Sequence, residues 1–119
     1  MEYQTLKTYL LAKPETALDF PFGEDVSVFK VKGKMFALYG VHNDLPMLNL
    51  KCDPEEAVML CDVFESIKPG YHMDKRHWIS VYFDETVPQG EVERLIDNSF
   101  KLVVSKMTKK DQVSILLQI

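Results

Sequence analysis

Apolar residues recur every three to four positions over residues 3–12, where Tyr3, Leu6, Tyr9 and Leu10 share one stripe and Pro14 closes the segment. This is the pattern of a short helix lying on a core. The period then shortens to two. From Val26 to Val31 the positions Val26, Val28 and Lys30 alternate with Ser27, Phe29 and Val31, as a strand requires. Lys32-Gly33-Lys34 marks a hairpin, Met35 to Val41 is the returning strand, and His42-Asn43-Asp44 turns the chain into a third strand, Met47 to Cys52. Asp19-Phe20-Pro21-Phe22-Gly23 reads as a turn or a short edge strand, because Pro21 has no N–H to give to a ladder.

Asp53-Pro54-Glu55-Glu56 is a strong helix start. Asp53 is placed to accept from the N–H of residue 56, Pro54 suits the first helical position, and Glu56 completes a capping box. The helix runs to Phe64 with Ala57, Val58, Leu60, Cys61 and Phe64 on its core stripe. Ile67 to Lys75 reads as a loop broken at Pro69-Gly70. In the strand His77 to Asp84, Trp78, Ser80 and Tyr82 face away from His77, Ile79, Val81 and Phe83. Thr86-Val87-Pro88 opens a long helix bearing Val92, Leu95, Ile96, Ser99, Leu102 and Val103, and Thr108 to Asp111 caps a short last one. The order α-βββ-α-β-α-α, not strictly alternating, gives an α+β domain with a mainly antiparallel sheet, spanning residues 1–119.

Composition narrows the class without naming a function. The 119 residues are 46% hydrophobic, enough for one self-sufficient core. No apolar run is long enough to span a bilayer, and the N-terminus lacks the basic-then-apolar order of a signal peptide. Two cysteines form no disulfide framework, so a reduced, cytoplasmic setting is expected. The net charge of −4 argues against indiscriminate coating of nucleic acid, yet its distribution is uneven. Residues 26–52 hold four lysines against Asp44, and residues 98–119 four lysines against Asp111, while the acidic residues cluster on the helices. A fold can thus present a basic face despite its acidic sum.

The densest chemistry is Gly70-Tyr71-His72-Met73-Asp74-Lys75-Arg76-His77-Trp78, a loop entering a strand. Lys75 and Arg76 suit phosphate, and Tyr71 and Trp78 suit stacking on bases; the alternative is a packed strand start with Trp78 in the core. Lys30, Lys32 and Lys34 straddle the first hairpin, as a wing along a phosphate backbone or as a guard against edge pairing. His72 and His77 are five apart and lack the spacing of a compact metal knuckle, so no metal is expected. Cys61 falls on the core stripe; Cys52, just before a helix, is where a lowered thiol pKa is conceivable. Ser80 and Ser99 read as fillers. No catalytic or cofactor-binding signature is present.

The run Gly70-Tyr71-His72-Met73 to Lys75, then His77-Trp78, resembles the signature of the MmcQ/YjbR family of small bacterial proteins. Gly33-Lys34-Met35-Phe36-Ala37, Leu50-Lys51 and Ser99-Phe100-Lys101-Leu102-Val103 extend the resemblance along nearly the whole chain. It implies a frataxin-like (CyaY-like) fold described as a double wing, and the family's usual label, DNA-binding protein. Lys34, Lys51, Tyr71, His72, Lys75, His77 and Trp78 match the family pattern; Arg76 stands outside it. The leading expectation is a non-enzymatic DNA-binding module using Lys30, Lys32, Lys34, Lys51, Tyr71, His72, Lys75, Arg76, His77 and Trp78. Two others stand beside it: a chaperone-like adaptor docking a protein partner through an apolar patch and the acidic helices, and a small-ligand or metal site at His72 and His77.

Overall fold

Strand alternation with one buried face, followed by helices carrying a single apolar stripe, builds a sheet with helices on one side. A computed structural model describes residues 1–118. Helix α1 (Tyr3–Leu11) leads into β1 (Thr16–Asp19), then β2 (Ser27–Val31), β3 (Lys34–His42) and β4 (Leu45–Lys51). Helix α2 (Pro54–Val63), β5 (Ile67–Pro69), β6 (Trp78–Tyr82), α3 (Gln89–Ser105) and α4 (Lys109–Leu116) complete the chain. The strands form one sheet ordered β1-β2-β3-β4-β6-β5, with every neighbouring pair antiparallel.

The α+β class and the central meander agree with the sequence pattern, and two edge strands add to it. Residues 16–19 form β1, which meets the expected turn or edge segment at 19–23 only at Asp19. Ile67–Pro69, read as loop, pairs with β6 as β5. Pro69 is tolerated there because an edge strand leaves one side of its backbone unpaired.

The core lies between the sheet and the helices. Phe29, Val31, Phe36, Ala37, Leu48, Leu50, Ile79 and Val81 meet Leu6, Leu10, Leu95, Ile96 and Ile115. Alternation breaks once, in β3. Phe29 pairs with Ala37 but Lys30 pairs with Met35, so Phe36 is an extra, bulged residue. Both Phe36 and Ala37 therefore point into the core, where Phe36 meets Phe100 edge-on at 5.3 Å. The regular β3–β4 register stops at Ala37 and Leu50. Beyond it the Ser99 hydroxyl donates to the Phe36 carbonyl (2.6 Å) and accepts from the Lys51 N–H (2.8 Å). Ser99 is a buried junction between two strands, not the filler its place in a helix suggests.

Helix α2 also departs from expectation. Asp53 accepts from the N–H of Glu55 (3.0 Å) instead of residue 56, and the Glu56 carboxylate pairs with Arg94 on α3 (3.2 Å) where a capping box would turn it back to the Asp53 N–H. Ala57 and Leu60 are buried, whereas Val58, Met59 and Val63 are exposed. Helix α3 begins at Gln89; Thr86 is instead tied to Asp84 and Ser66 in the preceding turn. Thr108 caps α4 by accepting from the Asp111 N–H.

Candidate functional site

The sheet face away from the helices carries Val28, Lys30, Leu38, Gly40, Met47, Asn49, Lys51, Trp78, Ser80 and Tyr82, as pairing and alternation dictate. An asparagine and a serine at the centre of such a face need partners. The loop at residues 70–77 supplies them. Asn49 Nδ2 donates to the Tyr71 carbonyl (3.1 Å), the Tyr71 N–H donates to Ser80 Oγ (2.8 Å), and Ser80 Oγ donates to Asn49 Oδ1. This closed ring of three bonds leaves no buried side-chain polar atom unpaired among the described residues. Asn49 and Ser80 are thus the anchors of the loop, and reading Ser80 as a filler is overturned.

The anchor fixes the aromatic groups. The Tyr71 ring stacks on His42 at 3.7 Å between centroids, and His42 Nδ1 lies 2.6 Å from the Tyr82 hydroxyl. Gly70 donates its N–H to the Trp78 carbonyl (2.9 Å), while its own carbonyl accepts from Lys75 Nζ (2.9 Å). The His77 carbonyl accepts from the Cys52 N–H (2.8 Å), tying the loop's exit to the end of β4.

The candidate residues are distributed over three places. Tyr71 and His72 border a cleft on the helix-free face. Lys75 and Arg76 border a groove beside α2 with Glu55, Val58 and Met59. Lys32, Lys34 and Lys51 border a cleft of about 430 Å3 with Lys106, from the end of α3, and Asp111. Lys30 is paired with Asp19 (3.1 Å), and Lys32 lies near Glu15 (3.4 Å) and Asp111 (3.5 Å). Lys34, Lys51 and Lys106 form no ion pair among the described residues. Trp78 is half-buried and pairs directly across from Lys51. His77 is exposed, and no group of three His, Cys, Asp or Glu able to hold a metal occurs among the described residues.

Cys52 moves opposite to the expected direction. Burial, reinforced by the carboxylates of Glu56 and Asp53, pushes its thiol up to about 12. The thiol therefore stays protonated and unreactive at neutral pH. Cys52 is expected to react with a disulfide reagent at pH 8 only when the protein unfolds, which a thiol count with and without denaturant measures. A native-state count that includes Cys52 contradicts the burial.

A family model described as YjbR matches residues 11–102. The chain belongs to the YjbR family. It is 42% identical over 110 residues to uncharacterized protein YbdF of Escherichia coli O157:H7, covering 92% of this chain and 90% of that one. Uncharacterized protein YjbR of Escherichia coli K12 is 27% identical over 110 residues, with 92% and 93% covered. The crystal structure of Deinococcus radiodurans protein DR2400, of domain family DUF419, superposes with a TM-score of 0.87 at 36% identity, covering 94% of this chain and 86% of that one. The family match spans the meander, the 70s loop and most of α3, and ends before Lys106 and Asp111 of the lysine cleft. Among the described residues of this YjbR-family chain, no helix is long and apolar enough to cross a membrane.

Sequence reasoning passed over Asn49 and Gly40. Their signal was an amide and a glycine inside strands otherwise rich in apolar residues, two types that strands disfavour.

Proposed function

We propose that the chain is a non-enzymatic module that binds nucleic acid by its phosphates at the cleft between the first hairpin and the end of α3. The observation that carries this is the meeting of two basic blocks. Lys34 and Lys51 from the sheet face Lys106 from the helical tail, and none of the three is neutralised by an ion pair among the described residues. Unpaired lysines around one concavity present a local positive field even on a protein of net charge −4. Trp78, beside Lys51, is the aromatic surface nearest these cations in register; the Tyr71 ring is already stacked on His42.

The test is fluorescence anisotropy with labelled duplex and single-stranded DNA. Three phosphate contacts give a duplex affinity that falls about 40-fold between 50 and 200 mM salt. Replacing Lys34, Lys51 and Lys106 with Gln removes most of that salt dependence and weakens binding at 50 mM salt by a comparable factor. Unchanged binding in the triple variant rejects the cleft. Loss of binding on Lys75→Ala with Arg76→Ala instead moves the interface to the loop. A protein-docking reading draws on Val58, Met59 and Val63, exposed beside Glu55 on α2. An absence of DNA affinity at 50 mM salt makes that helix face the leading surface.

A further inference from the structure

The helix-free sheet face is indented. Between the segments at residues 22–26 and 71–73 lies a cleft of about 710 Å3, within the size range of small-molecule sites. Its floor is strand: Leu38 and Gly40 of β3, with Met47 of β4 directly paired to Gly40. Gly40 sits inside a nine-residue strand, where glycine costs conformational entropy and adds no packing. Its backbone is not left-handed, and a Cβ placed there meets only the Asp25 carbonyl oxygen, at 3.9 Å. The local backbone therefore does not require glycine. The missing side chain leaves depth in the cleft.

The lining describes what fits. Met35, Met47 and Met73 offer flexible, polarizable contacts that favour aromatic partners. Phe22 at the mouth is 68% exposed, apolar surface that an occupant would cover. The Asn49 amide is engaged at both ends, by Ser80 and by Tyr71, and the rest of the floor is apolar. Of the remaining lining residues Asp25, Tyr71 and His72 carry ionisable side chains, and Asp25 is the one acid among them that is charged at neutral pH. The Asp25 carboxylate disfavours an anion. We infer that this cleft, which shares only Met35 with the lysine cleft, binds a small flat aromatic molecule, neutral or cationic.

Fluorescence titration with Nile red (neutral), proflavine (cationic) and anilinonaphthalene sulfonate (anionic) tests this. Saturable one-to-one binding of Nile red or proflavine in the range of about 1–50 µM is expected, with the sulfonate weakest. Gly40→Val fills the floor and should weaken binding at least tenfold while the melting temperature holds or rises. Should that variant melt lower, Phe22→Ala, at an exposed site, decides with a several-fold loss. Replacing Lys34, Lys51 and Lys106 with Gln leaves dye binding unchanged, which separates this site from the nucleic-acid reading. Equal binding by the parent and both cleft variants, no saturable binding, or preference for the sulfonate overturns the inference.

Discussion

Gly70→Ala is expected to destabilise the fold by about 2–3 kcal/mol and lower its melting temperature by about 8–12 °C. The reason is close approach of backbone. A Cβ at Gly70 would lie 2.7 Å from Trp78 Cβ, 3.0 Å from Met73 Cβ and 3.1 Å from the Trp78 carbonyl oxygen. All three atoms are fixed by main-chain position, so no rotamer change relieves the overlap. The β5–β6 edge and the loop must separate instead. That movement strains the Gly70 N–H bond to Trp78 and the two bonds its carbonyl accepts, from Met73 and from Lys75. Trp78 is the chain's single tryptophan, so its fluorescence reports the change directly in a urea titration. A lower midpoint with a red-shifted native spectrum is the expected result. An unchanged midpoint would mean that the loop is not packed on β6 as described.

This glycine shows what the sequence conveys and what it withholds. The run from Gly70 to Trp78 is legible as a family motif and as a concentration of chemistry. Its physical work lies in contacts with β3 and β4, far away in sequence: Tyr71 on His42, the loop backbone on Asn49, the His77 carbonyl on Cys52. The faces of β2 and β6 are legible because the period is two, but the sequence does not show that the second face is covered as well, at Val28 and Ser80. Strands β1 and β5 are too short to establish a period, and β5 contains a proline. On α2, Ala57 and Leu60 face the core as the sequence places them, with Cys61 and Phe64 packed at its margin, but Val58, put on the same stripe, is exposed, because neighbouring apolar residues blur the edge of the stripe. The basic blocks are visible in the sequence, but pairing is not. Lys32 is near Glu15 and Asp111, the latter from the opposite end of the chain, and so is partly neutralised where Lys34 is not. Gly40 is an unusual residue for a strand, but the space above it, which gives it a use, is visible only in the fold.

Ser99→Ala is expected to cost about 2–3 kcal/mol, although it removes a single oxygen atom. Ser99 is fully buried, and its hydroxyl serves both strands where the Phe36 bulge ends their register. A mid-helix serine commonly bonds back to its own helix, and deleting that bond costs little. Here the hydroxyl reaches the sheet, so alanine strands the Lys51 N–H and the Phe36 carbonyl together in a site too small for the deleted oxygen to be replaced by water without displacement of its neighbours. Ser105, on the same helix, provides the contrast. It is exposed and its hydroxyl bonds only the Leu102 carbonyl, so Ser105→Ala should fall within about 0.5 kcal/mol of the parent. Urea midpoints of the two variants, with amide exchange at Lys51, make the comparison. Large destabilisation and faster Lys51 exchange in Ser99→Ala alone assign the effect to the strand junction, whereas equal midpoints would return Ser99 to the status of a filler. Because Lys51 also lines the lysine cleft, the proposed nucleic-acid binding predicts a weaker DNA affinity in Ser99→Ala with no positive charge removed, separating the placement of that cation from its presence.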